Sequence, residues 1–168
     1  MERIEVTSNQ PYAGFWLRFA AYLLDSVILS FAGAIIAVPA ILIIVSTSIG
    51  LSQIKHPEDL LQDGNLLRIS IIVGTLVLIG FFSLIISWLY FALMESSSYG
   101  GTLGKIAVGL KVTTMDGERV TFARASGRYF AKIITNMTFF IGYIIAGFTE
   151  KKQALHDFIA GCLVVKKE

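Results

Sequence analysis

The feature that most limits this chain is a run of twenty uncharged residues, Ser26 to Val45. A stretch of that length is what a helix needs to cross the hydrocarbon core of a bilayer. Just ahead of it stand Arg18 and Asp25, seven residues apart. Seven steps of about 100° bring two side chains back to within roughly 20° of one helix face, and Tyr22 lies near that face. An ionisable pair there is costly against lipid, so the face must meet protein or a water-filled cavity. A second run, Ile69 to Met94, has twenty-six residues without a charge. At 1.5 Å per residue it reaches ~39 Å, which calls for tilt in a bilayer.

Charge is scarce elsewhere too. Charged residues make up 15% of the 168 and hydrophobic residues 55%, whereas a soluble domain carries about 25% charge. The expected fold is therefore an all-α integral membrane protein, one domain over residues 1–168. A net charge of +2 gives no case for nucleic acid. A lone cysteine, Cys162, rules out an internal disulfide and a cysteine-built zinc site. The N-terminal tail has no apolar core before Phe15, so no cleavable signal is read and the first helix is expected to stay.

Helix 1 is expected over about 13–47, starting near Pro11, a residue suited to a first turn. Pro39 should kink it or end its regular part. A loop follows at 48–68, then helix 2 at about 69–95. Small residues, Gly33 and Ala37 on the first helix and Gly80, Ser83 and Ser87 on the second, offer a packing stripe. Trp88 and Tyr90 fit an interfacial belt. Within 96–124, Lys111 to Phe122 reads as a small β-hairpin turning at Asp116-Gly117. Gly161 to Val165 offers a third short strand, after a C-terminal helix in 150–168. The third helical segment, 125–149, is ambiguous. Residues 133–149 are polar for a span, with Thr135, Asn136, Gly142 and Gly147. They either cross or re-enter, broken near Asn136 to Gly142.

Lysine and arginine bias orients the chain. Residues 95–132 hold six bases against three acids, while 46–68 hold two against three. The positive-inside rule places 95–132 and both termini in the cytoplasm and 46–68 outside. Two spans plus a re-entrant segment satisfy that; three full spans do not.

Several pieces together resemble a known family. They are Tyr12-Ala13-Gly14-Phe15-Trp16-Leu17-Arg18 leading to Asp25; Gly101-Thr102-Leu103-Gly104-Lys105 with Gly109-Leu110-Lys111-Val112 and Asp116-Gly117; and Gln153-Ala154-Leu155-His156-Asp157 with Ala160-Gly161. In this order and with these membrane segments, the chain resembles the bacterial RDD family, named for one arginine and two aspartates. The resemblance implies a multi-pass protein of the bacterial cytoplasmic (inner) membrane. It maps the arginine to Arg18 and the aspartates to Asp25 and Asp157. Cys162 stands where the family pattern leads one to expect threonine. Some members are described as sodium or potassium/proton antiporters, so the resemblance implies Na+ or K+ and H+ as partners.

Arg18, Asp25 and Asp157 are thus the candidate transport cluster. A carboxylate in low dielectric holds its proton more tightly, and a nearby arginine loosens it, a balance suited to exchange. The competing reading is a clamp in which Arg18 holds Asp157 and docks the C-terminal helix. Glu95, Lys105, Asn136 and His156 are possible accessory groups. Lys105 reads as a cytoplasmic anchor or a partner to Glu95. Asn136 sits at the suspected break, where freed carbonyls could hold a hard cation. His156 beside Asp157 reads as a proton relay or as a polar-end histidine. Gly101 to Lys105 is not a phosphate loop, because Tyr99 and Ile106 stand where glycine and a magnesium-binding hydroxyl belong. His56 beside Glu58 and Asp59 is too little for a metal site. With no nucleophile or metal motif, no enzyme and no cofactor are expected. The alternative function is a non-transporting membrane adaptor or scaffold whose basic face binds a partner protein or anionic lipid. A homo-oligomer is expected, since two spans and a partial third scarcely surround a conduit.

Overall fold

A computed structural model describes residues 12–51, 63–137 and 145–167. The uncharged runs form two long helices, α1 over Phe15–Leu51 and α2 over Asp63–Ser96. Both are long and apolar enough to cross a membrane, over Phe15–Ile49 and Gly64–Ser96. Their mid-span side chains are bare: on α1 Ile35 is 77% exposed, and on α2 Val77 is 64% exposed. Apolar area left open on that scale is stable in lipid and not in water.

Both helices overrun the expected bounds. α1 begins four residues after Pro11, so that proline is not its first turn, and it continues twelve residues past Pro39 to Leu51. Helix-breaking residues are tolerated at membrane depth where side-chain hydroxyls and local adjustment satisfy the freed backbone. Residues 52–62, which include His56, lie outside the described residues. A Cβ built on Gly33 or on Gly80 meets nothing within 4 Å. Neither glycine therefore serves the close helix contact within the chain that the small-residue stripe implied.

The chain divides into two compact units. One, Ile28–Ile86, takes most of the long apolar runs of the two helices. The other takes residues up to 27 and from 87 onward, and holds the core: Ala13, Ala21, Ala92, Leu110, Val112 and Val164 among others. In this unit, α3 (Leu103–Ala107) leads to strand β1 (Leu110–Thr114), then α4 (Phe122–Met137). After residue 145 come a 3-10 turn at Ile145–Gly147, α5 (Leu155–Ala160) and strand β2 (Cys162–Lys166).

The small sheet exists, with a different second strand from the one the Asp-Gly turn indicated. β1 pairs antiparallel with β2, Leu110 opposite Lys166 and Thr114 opposite Cys162. The turn at Asp116-Gly117 forms, with Gly117 at φ 79°. Its second arm shrinks to one bridge, Thr113 to Arg119, because α4 starts at Phe122. Tyr12 bridges Val165 on the other side of β2, and Ala13 N–H donates to the Val164 carbonyl at 2.9 Å. The chain's entry into α1 is thereby tied to its C-terminal strand.

α4 explains much of the polar stretch. Ala125 and Arg128 are buried on it while Phe122 and Phe130 stay partly open. It lies along the last turns of α2: Trp88 Nε1–H donates to Ser126 Oγ at 3.1 Å, and Phe91 meets the Tyr129 ring at 5.9 Å. The suspected break from Asn136 to Gly142 falls mainly on 138–144, outside the described residues, and the Asn136 side chain is outside them too.

Candidate functional site

Two buried acid sites lie in the charged unit. The first is built on Asp25, which is 1% exposed. Its Oδ1 accepts from the Tyr90 hydroxyl at 2.8 Å and from Gly104 N–H at 2.8 Å, and its Oδ2 accepts from Thr102 Oγ1 at 2.5 Å. Thr102 is also the N-cap of α3, its hydroxyl accepting from Lys105 N–H. Tyr90 in turn accepts from Leu103 N–H at 3.1 Å. Among the described residues, three neutral donors and no ion pair hold this carboxylate. Gly104 is needed for the approach: a Cβ there would strike the Ala21 carbonyl and come 2.9 Å from the Asp25 carboxyl.

The second site is ionic. Asp157 Oδ2 pairs with Arg18 Nη1 and accepts from Ala154 N–H at 3.2 Å. Its Oδ1 accepts from Arg128 Nε at 2.8 Å and Nη2 at 2.5 Å. Arg18 also donates to the carbonyls of Ala13 and Lys152, at 3.0 and 2.7 Å. Arg128 spans to a second acid, Glu95 Oε2, at 2.8 Å. Lys105 Nζ reaches Glu95 Oε1 at 2.5 Å, and Lys132 Nζ lies 3.9 Å from the same oxygen. His156 Nε2 is 3.4 Å from Asp157 Oδ1.

Burial and charge pull these groups in opposite directions. Burial would raise the Asp157 carboxyl, but Arg128, His156 and Arg18 outweigh it and hold the group well below the usual carboxylate range. Burial would lower the Arg128 guanidinium, yet Asp157 and Glu95 raise it further still. Burial and Arg128 push Lys105 down against the pull of Glu95. Burial pushes His156 well below its ordinary value, which favours the neutral imidazole.

Of the candidates from the sequence, Arg18 and Asp157 meet, and Glu95, Lys105 and His156 join the same cluster. Asp25 shares a helix face with Arg18 but is held separately, by Tyr90, Thr102 and Gly104. Arg128 and Lys132, read from sequence only as topology-setting bases, are central. Their spacing with Arg124, every fourth residue, is the signal that puts them on neighbouring turns of one helix. Tyr90, read as an interfacial aromatic, and Thr102 were also missed as ligands of Asp25.

The family model described as "RDD family" matches residues 12–161, which takes in both sites. The chain belongs to the RDD family. Among its relatives in Bacillus subtilis, one described as the uncharacterized protein YxaI is 37% identical over 155 residues, covering 92% of this chain and 97% of the relative. Another, the uncharacterized membrane protein YteJ, is 31% identical over 166 residues, 95% of this chain and 84% of the relative. No solved structure matches the chain. In this RDD protein Arg18 and Asp157 form one ion pair, and Asp25 anchors a separate network.

Proposed function

We propose that this RDD membrane protein exchanges a monovalent cation, Na+ or K+, for a proton, with the cluster of Arg18, Glu95, Lys105, Arg128, Lys132 and Asp157 as its working site. One observation carries the reading: a buried cluster holds two carboxylates against four cations where α1, α2, α3, α4 and α5 converge. Ionisable groups in such settings serve ion and proton pathways by default, and any shift of one element forces the charges to re-pair. The antiport described for some RDD members points the same way. Purified protein in proteoliposomes with an internal pH dye tests it. Adding Na+ or K+ outside a vesicle with a pH gradient should collapse that gradient. No response from folded, reconstituted protein removes the reading.

A membrane scaffold is the second reading. It is favoured by the full occupation of both carboxylates and by exposed Arg124, Lys151, Lys152 and Lys166. Selective binding to vesicles rich in anionic lipid, without flux, would support it.

The exchange reading includes an orientation with both termini and residues 95–132 in the cytoplasm, supported by the basic bias. In a Cys162→Ser background, Lys167→Cys and Asp63→Cys should label from opposite sides of the membrane. It also includes a closed homo-oligomer, a two-fold dimer being the commonest form. The open space beside Gly33 and Gly80 leaves room for a second helix. Mass measured in native nanodiscs tests this, and a monomer that still exchanges cations overturns it.

A further inference from the structure

Glu95 is crowded by cations. Its Oε1 takes Lys105 Nζ at 2.5 Å and its Oε2 takes Arg128 Nη1 at 2.8 Å. Lys132 Nζ stands 3.9 Å from Oε1, past hydrogen-bond reach. It rests over the Phe91 ring, 3.9 Å from the centroid. An ammonium on an aromatic face keeps an electrostatic partner without being needed by a carboxylate. Of the four cations, the two arginines do not give up protons. Lys105 cannot become neutral without stripping Glu95 Oε1 of its charged partner. Lys132 can, because both Glu95 oxygens then keep the bonds they have.

We propose that Lys132 is the group through which the cluster takes up and releases protons. Its role in transport rests on the exchange reading above; its titration does not. The charged and titratable groups around it are Glu95 from α2, Lys105 from α3, Arg128 from its own helix, and Asp157 and His156 from α5. Arg18 of α1 holds the far partner, Asp157. Burial favours the neutral amine, Glu95 opposes it, and Lys105 and Arg128 add to burial, leaving Lys132 pushed down to about 7. With two more cations than carboxylates, the cluster has little tolerance for further positive charge. When one monovalent cation enters beside Glu95, the Lys132 ammonium gives one proton to water and becomes an amine. The charge of the cluster is unchanged, and departure of the cation reverses the step.

The test uses the full chain in lipid nanodiscs with lysines labelled with ¹³C at Cε. NMR spectra are recorded across a pH series from about 5 to about 10.5, the range that spans ordinary lysine behaviour. One lysine signal should titrate with a midpoint of about 7. It should vanish in Lys132→Met and in the charge-conserving Lys132→Arg, and persist in the surface control Lys151→Met. Should no lysine titrate below the ordinary range, or should the signal survive Lys132→Met, the proposal is overturned. In proteoliposomes, Lys132→Arg should cut exchange at least ~10-fold, because a guanidinium holds its proton. Titration without flux in the unaltered protein supports the proton site and removes the exchange reading. Flux without titration removes the proton site alone.

Discussion

Asp25 and Asp157 are equally hidden from solvent, at 1% and 0% exposure, and are held in opposite ways. Asp157 sits between two guanidiniums that converge from α1 and α4. Asp25 faces two hydroxyls and a backbone N–H, with no cation paired to it among the described residues. The contrast separates two kinds of dependence. Where charges balance charges, loss of one partner strands the others in low dielectric. Where neutral donors hold an anion, loss of one partner removes about one hydrogen bond.

The largest effect is therefore expected from Asp157→Asn. It leaves Arg18 and Arg128 facing an amide, and Arg128 keeps only Glu95. Breaking a buried pair of this kind costs about 3–5 kcal/mol in soluble proteins. Arg18→Ala should cost clearly less, because Asp157 then keeps both of its bonds from Arg128. Unfolding of the purified full chain in mild detergent ranks the two, and equal losses would show that the Arg18 contact carries the cluster. Acid sharpens the point. Asp157 is held below its unfolded value of about 3.9, so its contribution is complete above that pH and fades as pH falls through the lower folded value. The stability gap between the unaltered chain and Asp157→Asn should stay level at neutral pH and narrow only in strong acid.

Next comes Gly104→Ala at the Asp25 site. The added Cβ meets the Ala21 backbone carbonyl and the Asp25 carboxyl. Neither can withdraw without moving α1, so α3 must lift away. Overpacking of this sort costs about 1–3 kcal/mol. Gly127→Ala is the matched control: a Cβ there meets nothing within 4 Å on the same measure, and it lies inside α4. Alanine in a helix interior should gain roughly 0.5–1 kcal/mol over glycine. Opposite signs for the two changes would place the difference in the approach of α3 to α1, and matching signs would discard it.

The same two sites show what a sequence can disclose. The spans were legible because long uncharged runs need no partner to be recognised. Arg18 and Asp25 were legible as groups that must face protein for the same reason: charge beside such a run stands out. Their partners were not, because the shared face fixes direction and not who waits there. Arg128 and Lys132 fall in the expected third helical segment and read only as topology-setting bases, although the four-residue recurrence from Arg124 marks a helix face. The β1 partner was hidden differently. Asp116-Gly117 is a strong local turn signal, but the strand that pairs with β1 lies at Cys162–Lys166. Nothing within a few residues of β1 encodes that register. Thr102 before Leu103-Gly104-Lys105 carries cap chemistry, and its second role toward Asp25 needs the helix of Asp25 to be in place.

The smallest effect is expected from Tyr90→Phe. The ring stays and only the hydroxyl leaves. Asp25 then keeps Thr102 Oγ1 and Gly104 N–H, while Leu103 N–H loses its acceptor. Leu103 is partly exposed, at 46%, so water can take that role. The net cost should be about 1.5 kcal/mol, the low end for a hydrogen bond to a charged group, because two other donors remain on Asp25. Asp25→Asn should behave similarly, because an amide oxygen still accepts from Gly104 and Tyr90 and the Thr102 hydroxyl can turn to accept from the amide. Combining Tyr90→Phe with Asp25→Asn separates the two possible natures of this site. If Asp25 is held by neutral hydrogen bonds alone, the double variant should lose no more than the sum of the singles. A double-variant cycle with a coupling as large as that between Arg128 and Asp157 would mean that Asp25 carries a charge dependence beyond these three donors, and the contrast between the two aspartates would collapse.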